Sequence, residues 1–144
     1  MIYLLDVEKD DNGTFLVTCP SFPEVTTFAG DKADVFHNGL AAIEEAIAAR
    51  IADGVDIPAG ATAAQVAKRK GSWVKLPLMT ALKAELYRTM RQQGMTRAEL
   101  MRQLKWKRNS VDRLFRIDHA SRPDQIESAF KVLHKDVDVR IVNQ

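Results

Sequence analysis

The sequence predicts an α+β protein with two units: a β-β-β-α-β unit over residues 1–76 and an all-helical unit over residues 77–144 that ends in a strand. Three observations lead to this prediction. Short β-branched runs separated by turn residues open the chain, and such runs are typical of strands. Beyond residue 77 the apolar residues recur every three or four positions, as in amphipathic helices. Pro77 stands between the two patterns, and the charge of the chain changes sign between its halves.

Three strands are predicted at the start of the first unit. Residues 1–8 form an apolar run, which predicts a strand buried largely on both faces. Asn12-Gly13 is a strong hairpin signal, so residues 14–19 are predicted to form the returning strand. The prolines within residues 20–23 end that strand because proline cannot donate to a sheet ladder. Residues 24–29 predict the third strand.

A long helix is predicted from about Lys32 to Ala52. Asp31 or Asp34 can cap its start, and Gly54 suits its end. Its apolar residues repeat at intervals of three and four and predict one buried face, formed by Ala33, Phe36, Leu40, Ile43, Ile47 and Ile51. A short helical turn near residues 63–68 and a fourth strand over residues 72–76 complete the unit.

In the second unit, residues 80–93 predict a helix with one apolar face formed by Leu82, Leu86 and Met90. Residues 123–133 predict the last helix, with Ser121 as its cap. Val137, Val139 and Ile141 then alternate with charged residues, which predicts a terminal strand. Because an isolated strand is unstable, we expect this one to pair with another strand, such as one from a second chain.

Between those helices, residues 96–116 predict two short helices joined by a tight turn. Thr96 and Glu99 form a capping box at the start of the first helix. The second helix starts at about Arg108, and its buried stripe is formed by Val111, Leu114 and Phe115. This layout is that of a helix-turn-helix, whose second helix enters the major groove of DNA.

The exposed side chains of this stretch suit DNA. Arg contacts guanine edges, Asn contacts adenine, and Ser contacts base edges or phosphates. The predicted DNA-binding residues are Arg97, Lys105, Lys107, Arg108, Asn109, Ser110 and Arg113. Asp112 would repel phosphate, so we expect it to face away from the DNA backbone or to accept a hydrogen bond from cytosine. The alternative is an ordinary helical pair with a solvated charged face.

The charge of the chain is divided unevenly. Residues 1–60 carry eleven acidic and three basic side chains (net −8), and the rest carry eight acidic and eighteen basic ones (net +10). A basic half suits a polyanion, whereas the acidic half either binds a basic protein or keeps the chain soluble. No apolar run reaches the length of a membrane span, roughly 18 residues. A single cysteine cannot form an internal disulfide and predicts a reducing cytoplasm as the setting. The three histidines are scattered along the chain, so no metal site is predicted, and no cofactor is predicted either.

Three stretches together resemble the HicB antitoxins. They are YLLDVEKDDNGTFLVTCPSFPEVTTFAGD at residues 3–31, AIEEAIAARIADGVDIP at residues 42–58 and RNSVDRLFRIDHASRPDQIESAFKVL at residues 108–133. The helix-turn-helix stretch is also similar to the lambda-repressor-like class. It departs from that class at Met101, where Ala is frequent, and at Lys105, where the tight turn usually has Gly. A lysine in a left-handed turn is mildly strained.

The resemblance implies a partial RNase H-like N-terminal domain without a working nuclease site and a C-terminal domain that binds the operator of its own operon. It also implies a HicA-type, RNA-cleaving toxin as partner, and dimers or larger assemblies of the antitoxin. A toxin that grips RNA presents basic residues, which an acidic surface can cover. The candidate toxin-binding residues are Asp6, Glu8, Asp10 and Asp11; the alternative is a solvated turn.

Two other functions would each need a feature of their own. An RNase H-like nuclease with an appended DNA-binding module needs several carboxylates that converge on metal ions. Asp6 has no evident partner set, and Glu44 and Glu45 are adjacent on a helix and point in different directions. A ligand-sensing repressor needs a pocket, and no cluster of polar residues predicts one. The sequence therefore predicts a protein that is not an enzyme.

Overall fold

The computed structural model describes residues 1–144 and shows a mixed α+β protein with six helices and five short strands. The strands form two small antiparallel sheets. The chain divides into two compact units, residues 1–81 and 82–144. None of the helices is both long and apolar enough to cross a membrane.

The first unit contains the strands β1 (Ile2–Leu4), β2 (Asp6–Lys9), β3 (Phe15–Cys19), β4 (Phe22–Ala29) and β5 (Trp73–Lys75). β1 pairs with β5, and the second sheet has the order β2-β3-β4. The predicted first strand is therefore two strands, interrupted at Leu5, whose amide donates to the carbonyl of Ser72. The prediction that it is buried on both faces is wrong for β2, because its acidic side chains remain in water.

β4 starts at Phe22, earlier than predicted, and it contains Pro23. A proline is tolerated here because β4 lies at the edge of its sheet. Phe22 is fully buried, and its ring meets the ring of Tyr3 edge to face at a centroid distance of 4.9 Å. The Tyr3 hydroxyl donates to the Pro58 carbonyl, which satisfies its polar end inside the core.

Helix α1 (Lys32–Asp53) begins where the Asp31 carboxylate accepts from the Asp34 amide, and it ends at Gly54. Its buried face consists of Val35, Gly39, Ile43, Ala46, Ile47 and Ile51. The prediction that Ala33 and Phe36 face inward is wrong, since both are exposed. The side of the helix that faces the sheet includes Gly39, where a Cβ would lie 3.0 Å from Leu5 Cδ1, so the helix approaches the sheet closely there. Helix α2 (Ala63–Ala67) is short and carries a capping box from Thr62.

The second unit is helical. Helix α3 (Leu78–Gln92) crosses the boundary between the units, and α4 (Arg97–Leu104), α5 (Arg108–Leu114) and α6 (Pro123–Val132) follow. The predicted stripe of α5 is confirmed, because Val111, Leu114 and Phe115 are all buried. The other large buried apolar side chains of the unit are Leu86, Tyr87, Met90, Leu100, Ile126, Phe130 and Leu133.

One prediction for this unit is wrong, and one predicted strand is not formed in the single chain. Ser121 does not cap α6; its hydroxyl lies 3.4 Å from the Arg113 carbonyl, and Arg122 takes the cap position without a side-chain bond. Residues 135–144 form neither helix nor strand, so the predicted terminal strand is absent from the single chain. A strand needs a neighbouring strand to bond with, and this unit offers none. Val139, Ile141 and Val142 are left exposed.

Candidate functional site

Helices α4 and α5 present the basic side chains that the sequence predicts to bind DNA. The capping box of Thr96 and Glu99 is confirmed: each side chain accepts from the other residue's backbone amide at 3.2 Å. Lys105 takes the left-handed conformation, with φ 59° and ψ 35°, and so turns the chain sharply between the helices. Lys107 then occupies the N-cap position of α5 without a side-chain bond, so the amides at the start of that helix lack a side-chain cap.

Most of the predicted DNA-binding residues lie together around this turn and on α5. Lys105, Lys107, Arg108, Asn109 and Arg113 are exposed, and Ser110 is half-buried. The side chain of Arg108 is 86% exposed. The start of α5 therefore offers cationic and amide groups that can reach a ligand without moving any buried side chain.

Arg97 differs from the rest of the predicted set. Its guanidinium Nη1 lies 3.2 Å from Asp112 Oδ1, and its Cζ lies 4.8 Å from the centre of the Phe115 ring. These contacts hold the start of α4 against α5. Arg97 therefore fixes the angle between the two helices, and its charge is partly neutralised by Asp112.

Asp112 also faces Arg108 on its own helix, with 3.8 Å between Arg108 Nε and Asp112 Oδ2. The carboxylate thus lies between two guanidinium groups and limits their freedom. A cleft of about 450 Å³ opens beside it, lined by Arg97, Ala98, Met101, Arg108, Val111 and Asp112. Asp112 is therefore paired with both Arg97 and Arg108. That it faces away from the DNA backbone stays a prediction.

Lys83 is a residue that sequence reasoning missed. It lies on α3, is fully buried, and its ammonium donates to the carbonyls of Arg113, Arg116 and His119 at 3.0, 2.6 and 2.6 Å. Burial lowers the pKa of Lys83 below its ordinary value of 10.5. These carbonyls belong to the end of α5 and the loop after it, where a cation also favours the helix dipole.

A signal for Lys83 was present in the sequence. It precedes Leu86 by three residues and Met90 by seven, so it stands on the apolar stripe of α3. A lysine on such a stripe either lies at the edge of the stripe or is buried, in which case its ammonium needs carbonyl partners. Periodicity alone does not distinguish these, because the acceptors are some 30 residues away in the chain.

The candidate toxin-binding residues lie on β2 and the turn after it, and all four are exposed. The turn is closed by the Asp10 amide, which donates to the Thr14 carbonyl, and by the Gly13 amide, which donates to the Asp10 carbonyl. Asp6 is not free: Arg69 Nη1 donates to its Oδ1. Asp10 and Asp11 therefore project from the hairpin tip, while Asp6 is partly neutralised.

The three carboxylates that could serve in catalysis have different surroundings. Asp6 pairs with Arg69, Glu44 is half-buried on α1, and Glu45 is exposed. Burial raises the pKa of Glu44 above its ordinary value, and burial likewise raises the pKa of the Cys19 thiol. No group of three or more His, Cys, Asp or Glu side chains is arranged to hold a metal ion.

Comparison with known proteins identifies relatives of the chain. Residues 2–85 match the family described as the HicB-like antitoxin of bacterial toxin-antitoxin systems. Antitoxin HicB of Pseudomonas fluorescens (strain Pf0-1) is 28% identical over 135 residues, which cover 94% of this chain and 90% of the relative. Antitoxin HicB 2 of Photorhabdus laumondii subsp. laumondii is 26% identical over 139 residues, which cover 96% and 95% respectively.

Proposed function

Because the chain belongs to the HicB-like antitoxin family of bacterial toxin-antitoxin systems, we propose that it neutralises a HicA-type, RNA-cleaving toxin and represses its own operon by binding operator DNA. The observation that carries this proposal is the uneven charge of the chain: residues 1–60 have a net charge of −8 and residues 61–144 have a net charge of +10. The acidic segment suits a basic toxin that binds RNA, and the basic segment suits a DNA duplex, which is negatively charged.

The DNA-binding part of the proposal rests on α4 and α5. Arg108, Asn109 and Ser110 stand at the start of α5, the end of a recognition helix that normally reaches base edges. Lys105 and Lys107 lie in the preceding turn, where phosphates are contacted. Arg113 lies one turn further along α5 and reaches a base or a phosphate. Arg97 acts chiefly by bracing α5, since its guanidinium is already paired with Asp112.

The toxin-neutralising part of the proposal rests on the first unit, a partial RNase H-like domain without a working nuclease site. Asp6, Glu8, Asp10 and Asp11 are all exposed on β2 and its turn. Acidic groups on a sheet can occupy the surface with which a toxin grips RNA, and opposite charge speeds the encounter. The chain then acts as a binding protein in the cytoplasm and not as an enzyme.

The proposal includes assembly into a homodimer or a larger homo-oligomer. One helix-turn-helix touches few base pairs, and specific binding usually needs two half-sites. Residues 135–144 lack secondary structure and expose Val139, Ile141 and Val142. We assign these residues to a strand that forms only when two chains pair.

Three experiments test the proposal. Where a small basic protein is encoded beside this chain's gene, co-expression and pull-down with it tests toxin binding. Toxicity of that protein alone, with rescue by this chain, tests neutralisation. Titration of operator and scrambled duplexes at two salt concentrations tests sequence-specific DNA binding. Magnesium-dependent RNA cleavage by the purified chain, lost on Asp6→Asn, would instead favour a nuclease. A small molecule that releases operator DNA would favour a ligand-sensing repressor.

A further inference from the structure

The three-stranded sheet has one face covered by α1 and one face open. Val17 is fully buried beneath α1, where a Cβ at Gly39 would lie 3.5 Å from its Cγ1. Because side chains alternate along a strand, Leu16 and Thr18 point to the opposite face. Cross-strand register extends that face into two rows, Asp6–Thr18–Thr26 and Glu8–Leu16–Phe28. We call these six residues the outer face.

The centre of the outer face is apolar. Leu16 and Phe28 are directly paired on neighbouring strands, so their side chains form one continuous patch. Phe28 leaves 54% of its surface in water. The open side of an antiparallel sheet is normally polar, and a contiguous apolar patch with a polar rim marks a place where another molecule packs.

The rim of the outer face is acidic. β2 directs both of its acids, Asp6 and Glu8, to this face, and alternation directs its one base, Lys9, to the other. Arg69 pairs with Asp6, which leaves Glu8 as the exposed carboxylate in the same row as the apolar pair. The hairpin tip adds Asp10 and Asp11 beyond the end of β2.

We propose that the outer face is the surface on which the basic toxin docks, with an apolar toxin side chain against Leu16 and Phe28 and a basic one against Glu8. This inference rests on the proposed function and assigns the toxin contact to residues beyond the acidic turn. A nucleic acid is a poor occupant because phosphates would be repelled by Glu8. A second copy of the chain is also a poor occupant, because a two-fold contact would bring the same acidic rim against itself.

The test uses the full chain and the purified toxin encoded beside it. Phe28→Ala is compared with Phe36→Ala, since both phenylalanines belong to the first unit and both are exposed, by 54% and 42%. We expect Phe28→Ala to weaken toxin affinity by about 30-fold, as removal of a central anchor does, and Phe36→Ala to leave it within about twofold. Thermal unfolding checks that both variants remain folded.

A second pair of variants probes the acidic rim without touching an apolar side chain. Glu8→Gln should slow toxin association about threefold at low salt, with a smaller effect at high salt, and Glu45→Gln on α1 should not. This pair remains decisive if Phe28→Ala lowers the melting temperature.

The outcomes separate the inference from the proposed function. A wild-type chain that binds toxin, together with Phe28→Ala and Glu8→Gln variants of unchanged affinity and rate, overturns the docking surface but leaves the antitoxin function. A wild-type chain that fails to bind the toxin overturns both. A fall in oligomer mass for Phe28→Ala, seen by light scattering, overturns the docking surface by showing that a second copy occupies it.

Discussion

The helix that covers the sheet and the helix proposed to read DNA are held in place by different physical means. α1 has 22 residues and buries six of them along one stripe, so apolar packing alone can fix it. α5 has seven residues, buries Val111 and Leu114, and has no side-chain N-cap. Charged groups compensate: Lys83 binds the carbonyls at its end, and Arg97 binds Asp112 on its surface.

The difference teaches how a short helix can leave its polar face free for a ligand. A helix of seven residues cannot bury enough apolar area to fix its orientation and still expose Arg108, Asn109 and Arg113. Anchoring it from behind through a buried ammonium does not use that face. The position of α5 therefore depends strongly on one side chain, that of Lys83. The position of α1 depends on no single side chain.

The largest effect is expected when the two units are separated. A fragment of residues 1–76 ends before α3 and keeps the bond from the Leu76 amide to the Met1 carbonyl. It should fold, neutralise the toxin and lose operator binding completely, because it lacks α4 and α5. Circular dichroism, toxin rescue and a duplex titration measure the three properties. A folded fragment that never protects cells would place the toxin surface elsewhere.

Deleting residues 136–144 tests whether α5 acts in pairs. The deletion should lower the oligomer mass and weaken operator binding on the order of 100-fold, because two linked half-sites bind far more tightly than one. Light scattering and a duplex titration measure both effects. Asn143→Asp, within the same exposed tail, is the control. An unchanged mass would rule out pairing through this segment.

Lys83→Met tests the anchor behind α5. The substitution keeps the approximate length of the side chain but removes the charged donor that three partly buried carbonyls share, so the second unit should lose about 3 kcal/mol of unfolding free energy. Denaturant unfolding measures the loss. Lys131→Met on α6 is the matched control, since that lysine is 62% exposed in its side chain and should change stability by less than about 0.5 kcal/mol. A loss as small as that of the control would show that packing alone holds α5.

Two substitutions at the exposed start of α5 should weaken DNA binding in different ways. Asn109→Ala should cost about 1–3 kcal/mol on the operator and little on scrambled DNA. Lys107→Ala should weaken both and reduce the salt slope by about one phosphate contact. Neither should affect toxin neutralisation. Equal losses on both duplexes for Asn109→Ala would contradict sequence reading by α5.

The smallest expected effect concerns an ion pair in the first unit. Arg50 bonds both oxygens of Glu24, at 2.7 and 2.9 Å, and this bond lowers the pKa of Glu24 below its ordinary 4.5. A lowered carboxyl pKa stabilises the fold at pH values above 4.5, and the contribution is lost as the pH falls through the folded-state pKa. Glu24→Gln should therefore cost about 1 kcal/mol or less at pH 7, and the difference from wild type should shrink in acid.

Glu45→Gln on α1 is the control for that pH series, since its side chain is exposed on the same helix as Arg50. Unfolding free energies at neutral pH and in acid give the comparison. A Glu24→Gln difference that stays constant across the series would show that the ion pair is not the cause.

Most of the helices and strands, and the family, could be predicted from the sequence alone. The capping box of Thr96, the stripe of Val111, Leu114 and Phe115, and the helix that ends at Gly54 each depend on residues within a few positions of one another. Local hydrogen bonds and helical periodicity are encoded at that range. The lambda-repressor-like class usually has glycine at the position of Lys105, and in the structure Lys105 takes the left-handed conformation that glycine adopts without strain.

Only the tertiary structure decided which side chains meet over long distances. Lys83 binds carbonyls 30 to 36 residues away, Arg97 meets Asp112 instead of solvent, and Asp6 meets Arg69 across 63 residues. The buried stripe of α1 runs through Gly39, which packs closely against Leu5, and leaves Ala33 and Phe36 exposed. The terminal strand failed in the single chain because alternation specifies which side chains share a face but supplies no neighbouring strand to bond with. Charge and periodicity are properties of a segment, whereas a buried ammonium or a paired strand exists only when the fold brings its partners to it.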